Sequence, residues 1–397
     1  MKSILILGAG IYQVPLIKTA KSMGLHTIVA SIPGNYPGFD IADEVVYENT
    51  VDYESILAIA KEKNVSGIVT AGTDVAVITI GKVCDALGLK GLSAHAAQIA
   101  SNKLLMKEAY ENHHVRTARF RQIPADLENY ESLLDELEFP LIFKSVDSSG
   151  SRGITKVTDR SHFDEARQNA LDNTRSDFFI VEEFIDGEEF GAQAFVQDGK
   201  IEFILPHGDY VFNGDTGVPV GHFAPYNLSE ELLEDTKKQL TGAIEAMELD
   251  NCAINADFIL KDDKCYVLEL GGRSGATCLA ELVGIYYDFD YYEKIIRVAM
   301  GEHVSFTPGY SALKSGIPNA SMLLTSDKSG TVISISNSNE ENENIVDIQF
   351  DCNVGDVVRQ FHVGPDRIGH VITKGDTLDE AVDTLHEALS NITISVQ

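Results

Sequence analysis

Apolar and polar positions follow two rhythms through residues 1–95. "SILILG", "HTIVASI" and "VSGIVTAG" are short apolar runs bounded by turn residues, the pattern of strands buried in a parallel sheet. "VPLIKTAKSMG", "YESILAIAKEKN" and "VAVITIGKVCDALG" are helical segments, and Gly24 and Gly88 close the first and the last. Strands alternating with helices predict an open parallel α/β sheet.

Beyond residue 100 the rhythm changes. "SNKLLMKEAYENHHVRT" predicts a helix and its exit, and "FPLIFKSV" and "DFFIVEEFI" predict strands around the helical "SHFDEARQNAL". With the Gly/Ser loop 147–153 these make a small α+β unit. Residues 190–300 carry several strands, a helix at "SEELLEDTKKQLTGAIEAM", a hairpin over 252–270 and the apolar stretch "CLAELVGIYYDFDYYEKIIRVAMG". A polar tail follows "GEHVSFTPG", with a charged loop tip at "SNSNEENEN" and a terminal helix at "DTLDEAVDTLHEALSNI". The chain has no internal repeat.

Charge narrows the function. Sixty-one acidic residues against 31 Lys and Arg give a net charge of −30, which opposes non-specific binding to nucleic acid or an anionic membrane. Neither partner is expected, and a polyanionic ligand would need a locally basic pocket. The five cysteines are odd in number and form no C-x-x-C, so neither a disulfide framework nor a zinc site is indicated. "ILILGAG" is too short for a signal core or a membrane span. A cytoplasmic location is expected.

"GAGIYQ", after the first strand, invites comparison with a dinucleotide site. That fingerprint needs a third glycine and an acid at the end of the second strand. Gln13 stands at the glycine position and the strand ends in Ser31 and Ile32, so the turn reads as close helix–strand packing, and an NAD(P) oxidoreductase is the outsider. In "FKSVDSSGSRGITKV", Lys144 leaves a strand and Ser148, Ser149, Gly150, Ser151, Arg152 and Gly153 form a loop rich in N–H groups and hydroxyls. Such a loop folds over phosphates as readily as it forms a solvated hairpin beside a surface lysine. In "VEEFIDGEEF" the acids Glu182, Glu183, Glu188 and Glu189 have the solvated surface as their ordinary reading. The same segment suits an adenine edge read by backbone groups, with a carboxylate for the ribose hydroxyls.

The hairpin "NADFILKDDKCYVLELGG" has the sharpest geometry. A tip at Asp262-Asp263-Lys264 places Asp257 opposite Glu269. Like charges across a ladder are destabilising, so the pair calls for a hard cation held by oxygen ligands, with Arg273 four residues beyond Glu269. The plain alternative is one exposed acid and one cap. Of His113, His114, His207 and His222, only His222, in "VPVGHFAP" between turn residues, is a substrate-contact candidate.

Together these segments resemble the ATP-grasp superfamily, whose ligases include biotin carboxylase, carbamoyl-phosphate synthetase and the L-amino-acid ligases. The resemblance covers essentially the whole chain and rests on the order and spacing of five segments. It implies a pre-ATP-grasp parallel α/β domain (1–95), a two-lobed ATP-grasp core (96–300, with a mobile lid over about 118–183) and a small C-terminal α+β domain (301–397). By position, Lys103 and Lys144 match the lysines that hold ATP phosphates, and the loop residues Ser148, Ser149, Gly150, Ser151 and Gly153 match the cover over them. Glu182 matches the residue facing adenine, Glu183 and Ile185 the backbone contacts, and Glu189 the ribose-binding glutamate. Asp257 and Glu269 match the magnesium carboxylates, and Arg273 the arginine of the acyl-phosphate step. Asp74, His222 and Tyr226 are placed in the substrate pocket by analogy, and Gly275 and Ala276, at the start of "TCLAELVG", can present N–H groups to an anion.

Two positions depart from the family pattern. Gly271 replaces an asparagine that often supplies a third metal ligand, and Ser145 replaces a proline. Gly271 points toward the amino-acid ligase branch. The resemblance implies an ATP-dependent carboxylate–amine ligase working through an acyl phosphate. It would use ATP with Mg2+ (or Mn2+), as one or two ions, and act on small carboxylates and amines as a homodimer. An enzyme activating bicarbonate or formate is the alternative within the same fold, and a catalytically silent nucleotide sensor is a further rival.

Overall fold

The computed structural model of the protein describes residues 2–148, 152–213, 217–309 and 315–397. Strands β1 (Ser3–Leu7), β2 (His26–Ser31), β3 (Glu44–Tyr47) and β4 (Gly67–Val69) form a parallel sheet in the order β3-β2-β1-β4. Helices α1 (Val14–Ser22), α2 (Pro37–Ile41), α3 (Tyr53–Glu62) and α4 (Val77–Leu87) are its connections and exit. The Asp52 side chain caps α3, and Gly88, left-handed at φ 64°, ends α4. Helices α5 (Ala94–Ala100) and α6 (Lys103–Asn112) follow, and Asn102 caps α6 by accepting from the N–H groups of Leu104 and Leu105.

The small α+β unit is a four-stranded antiparallel sheet, ordered β5-β8-β6-β7, of β5 (Phe120–Pro124), β6 (Leu141–Lys144), β7 (Ile154–Val157) and β8 (Phe178–Glu183), covered by α7 (Phe163–Asp172). It has its own core, built on Tyr130, Phe143, Phe163 and Phe179.

An antiparallel sheet of eight strands, ordered β13-β12-β9-β10-β11-β14-β18-β16, forms the floor of the molecule. Its first strands are β9 (Glu188–Gln197), β10 (Lys200–Val211), β11 (Pro219–Ala224), β12 (Cys252–Lys261) and β13 (Lys264–Gly271), with α8 (Glu230–Ala246) packed on β13. Helices α9 (Leu279–Tyr287) and α10 (Tyr291–Ala299) come next, then β14 (Asn319–Leu324), β15 (Gly330–Asn337), β16 (Ile345–Phe350), β17 (Val357–Val358), β18 (Gly369–Lys374), α11 (Leu378–Ser390) and β19 (Ile392–Val396). Strands β17, β15 and β19 make a separate three-stranded sheet, while β14, β18 and β16 extend the floor. The floor thus runs without a break across the division expected at 300/301. Two apolar cores join the parallel sheet to the floor through residues such as Leu5, Ile80, Phe190 and Ile254, and Ile6, Val69, Phe195 and Tyr291.

Two segments gain detail from the structure. The apolar stretch 278–300 is two helices: Asp288 adopts the left-handed conformation at φ 56° and Asp290 caps the next helix through the Glu293 N–H. The C-terminal α+β region holds six strands besides its helix; β14 and β18 are buried almost throughout, while β15 and β16 carry exposed residues.

Candidate active site

The Asp257–Glu269 pairing expected from the hairpin is present, by a different route. The tip is the two-residue turn Asp262–Asp263, at φ 49° and 54°, which pairs Lys261 with Lys264. On that register Asp257 would face Leu268. A bulge between Asp257 and Phe258 shifts the ladder by one and brings Glu269 opposite Asp257. The protein crowded around the pair, and after it the facing Glu269, push the Asp257 carboxyl up, although its side chain still meets solvent.

Lysines gather beside this pair. Lys103 Nζ lies 3.2 Å from Glu269 Oε1 and donates to the Ser148 carbonyl at 2.8 Å. One turn on, Lys107 donates to Thr117 Oγ1 at 2.6 Å and pairs with Glu182 at 2.7 Å. Lys144 pairs with the other Glu182 oxygen. Burial pushes Lys107 and Lys144 down to about 7; at Lys144 the neighbouring Lys107 and Lys103 add to the push, while at Lys107 acidic neighbours oppose it. This is the locally basic pocket that a chain of net charge −30 needs for a polyanion.

Around these groups, the Glu182 carboxylate is clasped by two lysines, so an adenine edge would have to be read by the backbone here. The Glu183 carboxylate accepts from Arg119 Nη1 and the Glu138 N–H, both at 3.0 Å. Ile185 is buried with Ala118 and Ile259, and Glu189 is exposed at the start of β9, where its charge reaches Lys144. Ser145 fastens the base of the loop: its hydroxyl meets Ser148 Oγ and the Arg152 carbonyl, and its N–H donates to the Gly153 carbonyl. Gly153, at φ 70°, leaves no room for a Cβ, which would come within 2.7 Å of Ser145 Oγ. Ser149, Gly150 and Ser151 lie outside the described residues.

Arg273 reaches back to the turn after β4. Its Nε and Nη2 donate to Asp74 Oδ1 and Oδ2 at 2.7 and 2.8 Å, a bidentate pair bridging 199 positions of sequence. The pair lies over Gly271, where a Cβ would be 3.1 Å from Asp74 Oδ1, so Asp74 crowds the space that an asparagine side chain would take. The Gly72 N–H donates to the Ser274 carbonyl and holds the two turns together. Gly275 and Ala276 precede α9 rather than open it, because Thr277 and Cys278 are both left-handed, at φ 55° and 68°. The Gly275 N–H is already committed to Gln193 Oε1 at 3.0 Å, which corrects the expectation of a free anion donor there.

The first turn has a similar resolution. Gln13 folds back so that its Oε1 accepts from the Gly10 N–H at 2.9 Å and its Nε2 donates to the Ala71 carbonyl at 2.5 Å. A side-chain amide thus occupies the N–H that a dinucleotide phosphate would use.

Register explains how a second group reaches the site. Glu269, Asp257, Gly191 and His207 are in line across four strands, and two residues along, Asp209, His222 and Ser321 are in line across three. All therefore share one face of the floor. Gly191 is required there: a Cβ would lie 2.2 Å from the His207 ring. Asp209 Oδ1 accepts from His207 Nδ1 at 2.9 Å and from His222 Nδ1 at 2.6 Å. Burial acts to raise the Asp209 carboxyl, but the two imidazoles outweigh it and hold it far below the usual range. Burial pushes His222 down, against the pull of Asp209. Tyr226 stands apart: its ring stacks on Phe190 at 5.1 Å in the apolar core and its hydroxyl turns to Glu188.

The residues missed from sequence are Lys107, Gln193, Asn255, His207 and Asp209. Lys107 was accessible as the i+4 neighbour of Lys103 on one helix face. The others depend on pairing between strands distant in sequence, and no local pattern marks them.

Two family models match the chain: the phosphoribosylglycinamide synthetase ATP-grasp (A) domain over residues 101–277, and the L-amino acid ligase C-terminal domain 2 over residues 322–397. The crystal structure of phosphoribosylglycinamide synthetase from Anaerococcus prevotii is 36% identical, with 100% of each chain covered and a TM-score of 0.86. The chain belongs to the ATP-grasp ligases. Other members share its fold at lower identity. L-amino acid ligase from Bacillus licheniformis is 20% identical over 100% of this chain and 99% of that one, with a TM-score of 0.81. Alanine–anticapsin ligase from Bacillus subtilis (strain 168) is 26% identical over 241 residues, 55% of this chain and 51% of that protein, so the chain spans about half the length of that relative. No described helix of this ATP-grasp protein is long and apolar enough to cross a membrane.

Proposed function

We propose that this ATP-grasp protein is a carboxylate–amine ligase, which activates a small carboxylate as an acyl phosphate, joins it to an amine and releases ADP and phosphate. The observation that carries the reading is the facing pair Asp257–Glu269 beside Lys103, Lys107 and Lys144. Two carboxylates with oxygen-only donors suit Mg2+, and Mn2+ is an acceptable substitute. The bound ion supplies positive charge to the ATP phosphates, and with Gly271 at the usual asparagine position, one or two ions is a question for titration. Lys103 and Lys144 hold the phosphates, the segment from Glu182 to Glu189 takes the nucleoside, and the loop 147–153 covers the phosphates. Arg273, held by Asp74, faces the charge that develops on the transferring phosphoryl group. Phosphoryl transfer of this kind is mostly positioning and charge stabilisation, which such a site provides without a nucleophilic side chain.

The test is ADP release across L-amino acids as carboxylates crossed with amines, including glycine with phosphoribosylamine, the pair that names the Lactococcus lactis relative. Products are identified by mass spectrometry. ADP formed only with a carboxylate and an amine together, with an amide of matching mass, is the expected outcome. A second reading, formate or bicarbonate activation, is favoured by a formate-dependent phosphoribosylglycinamide formyltransferase from Prochlorococcus marinus that is 25% identical over 85% of both chains. ADP release driven by formate or bicarbonate in place of an amino-acid carboxylate would decide for it. The three-part division at 95/96 and 300/301, a homodimer and a cytoplasmic location belong to the same proposal. Light scattering tests the dimer, and the five buried free cysteines suit a reducing compartment.

A further inference from the structure

Among the described residues, one group of three His, Cys, Asp or Glu side chains lies close enough to hold a metal: His207, Asp209 and His222. Its hydrogen bonds argue for a different use. A carboxylate at neutral pH only accepts, so the 2.9 and 2.6 Å contacts to Asp209 Oδ1 put a proton on Nδ1 of both histidines. Those protons occupy the positions a cation would need, and in a neutral ring so oriented Nε2 is the acceptor.

The rest of the network fixes which acceptor is in use. Gln193 Oε1 takes the Gly275 N–H, so the Gln193 NH2 faces the other way and reaches Asn255 Oδ1 at 2.6 Å and His207 Nε2 at 3.4 Å. Hydrogen bonds thus run from the Gly275 N–H through Gln193 and His207 to Asp209. The chain ends at His222, 3% exposed, whose Nε2 has no hydrogen-bond partner among the described residues. Directly opposite on β14, Ser321 is 1% exposed and its hydroxyl is buried without a partner. Two adjacent polar groups without protein partners, on the face that carries Asp257 and Glu269, indicate a polar ligand. The titratable groups around His222 are Asp209 and His207 on β10; from β14 it meets Ser321. Three strand spacings of about 4.8 Å and an offset of two residues along the strands separate His222 from Asp257, roughly 16 Å between backbones.

We propose that His222 Nε2 is the base that takes a proton from the amine substrate, with Asp209 and His207 as positioning residues. This rests on the acyl-phosphate reading above. The substrate arrives as an ammonium ion and gives one proton to His222 Nε2. The freed nitrogen lone pair attacks the acyl carbon, the C–N bond forms, and the C–O bond to phosphate breaks with its electron pair on the departing phosphate. The second nitrogen proton leaves with that phosphate. Asp209 holds Nε2 unprotonated before the step and stabilises the imidazolium after it, and Ser321 Oγ orients the incoming nitrogen.

The experiment compares two nucleophiles on one acyl phosphate. The twenty protein amino acids serve as carboxylates, and hydroxylamine, already largely unprotonated at neutral pH, competes with the amino-acid amine. Hydroxamate and amide are both read by mass spectrometry alongside ADP. For His222→Gln the amide-to-hydroxamate ratio should fall about 100-fold or more, the usual contribution of a general base. Asp209→Asn should lower the same ratio less, and it supplies the readout if His222→Gln does not fold. An unchanged ratio, with both products reduced together, overturns the base assignment and leaves the acyl phosphate standing. If the wild type forms no hydroxamate with any amino acid, the acyl-phosphate reading fails, and the base assignment falls with it.

Discussion

The two ends of the ligand-binding face are built on opposite principles. At the lysine end, three ammonium groups crowd Glu182 and Glu269, and two of them are pushed down to about 7 by burial. At the histidine end, the single carboxylate of Asp209 accepts from two imidazoles, and hydrogen bonds lead from Gln193 through His207 and Asp209 to His222. One end gathers three lysines beside a facing pair of carboxylates and suits a polyanion with its cation. The other holds an acceptor and waits for a proton. Burial makes both arrangements costly unless a ligand completes them, since an unmatched charge or an unpaired hydroxyl loses its hydration.

The largest way to break this contrast is Glu182→Gln, which leaves two buried lysines without their counter-charge. Stability to urea should drop by about 3–5 kcal/mol, and saturating ATP with Mg2+ should restore much of it, because phosphates replace the lost anion. If the variant is as stable as the wild type, the clasp is not the counter-charge of the lysine end.

Arg273, whose charge reaches Asp257 and Glu269, should matter almost as much to rate. Arg273→Ala should lower kcat by two to three decades, about 3–4 kcal/mol, with ATP affinity largely kept. Asp74→Asn should reproduce part of that loss, since the fork loses its anchor, and Arg273→Lys should rescue only part of it because an ammonium cannot form two parallel bonds. Near-normal kcat in Arg273→Ala would make the arginine only a structural partner of Asp74.

A third test uses pH. Lys144 is pushed down to about 7 in the free protein, and phosphates bind its charged form, so nucleotide binding raises its affinity for a proton. ATP affinity should therefore be full below about pH 7 and fall as the pH rises, by about tenfold per pH unit for each lysine so linked. Calorimetry at pH 7, 8 and 9 measures the slope, and Lys144→Met should flatten it while weakening binding overall. A slope unchanged in the variant would place the linkage at Lys107.

The smallest expected effect is at the histidine end. Ser321→Ala removes a buried hydroxyl that has no partner, so stability should stay within about 1 kcal/mol of the wild type or rise. KM for the amine should increase while ATP affinity is untouched. A marked loss of stability would mean that the hydroxyl has a structural role.

Much of this was legible in the chain. The strand and helix blocks of residues 1–95, the absence of a ribose acid after the second strand, Lys144 at a strand end and the Asp257–Glu269 pair follow from periodicity or short-range spacing, while Lys103 was marked only by the resemblance to the ATP-grasp family. The hairpin is instructive because its pairing was right although its turn was not. A two-residue tip plus one bulge gives the same register as a three-residue tip, and sequence spacing reports only their sum. The break between α9 and α10 is set by Asp288, left-handed at φ 56°, and by the cap at Asp290.

By itself the sequence determined the elements, the acidic pair, the lysines at a helix start and a strand end, and the glycine-rich turns, because each is a property of neighbours along one backbone. Only the tertiary structure decided their engagements. Arg273 is joined to Asp74 across 199 positions, the Gly275 N–H is spent on Gln193, Glu182 is clasped by lysines from two elements, and Asp209 bridges histidines on two strands. The physical reason is the two-residue period of a sheet: every strand brings alternate residues to one face, and which of them meet is set by the register of strands far apart in the chain.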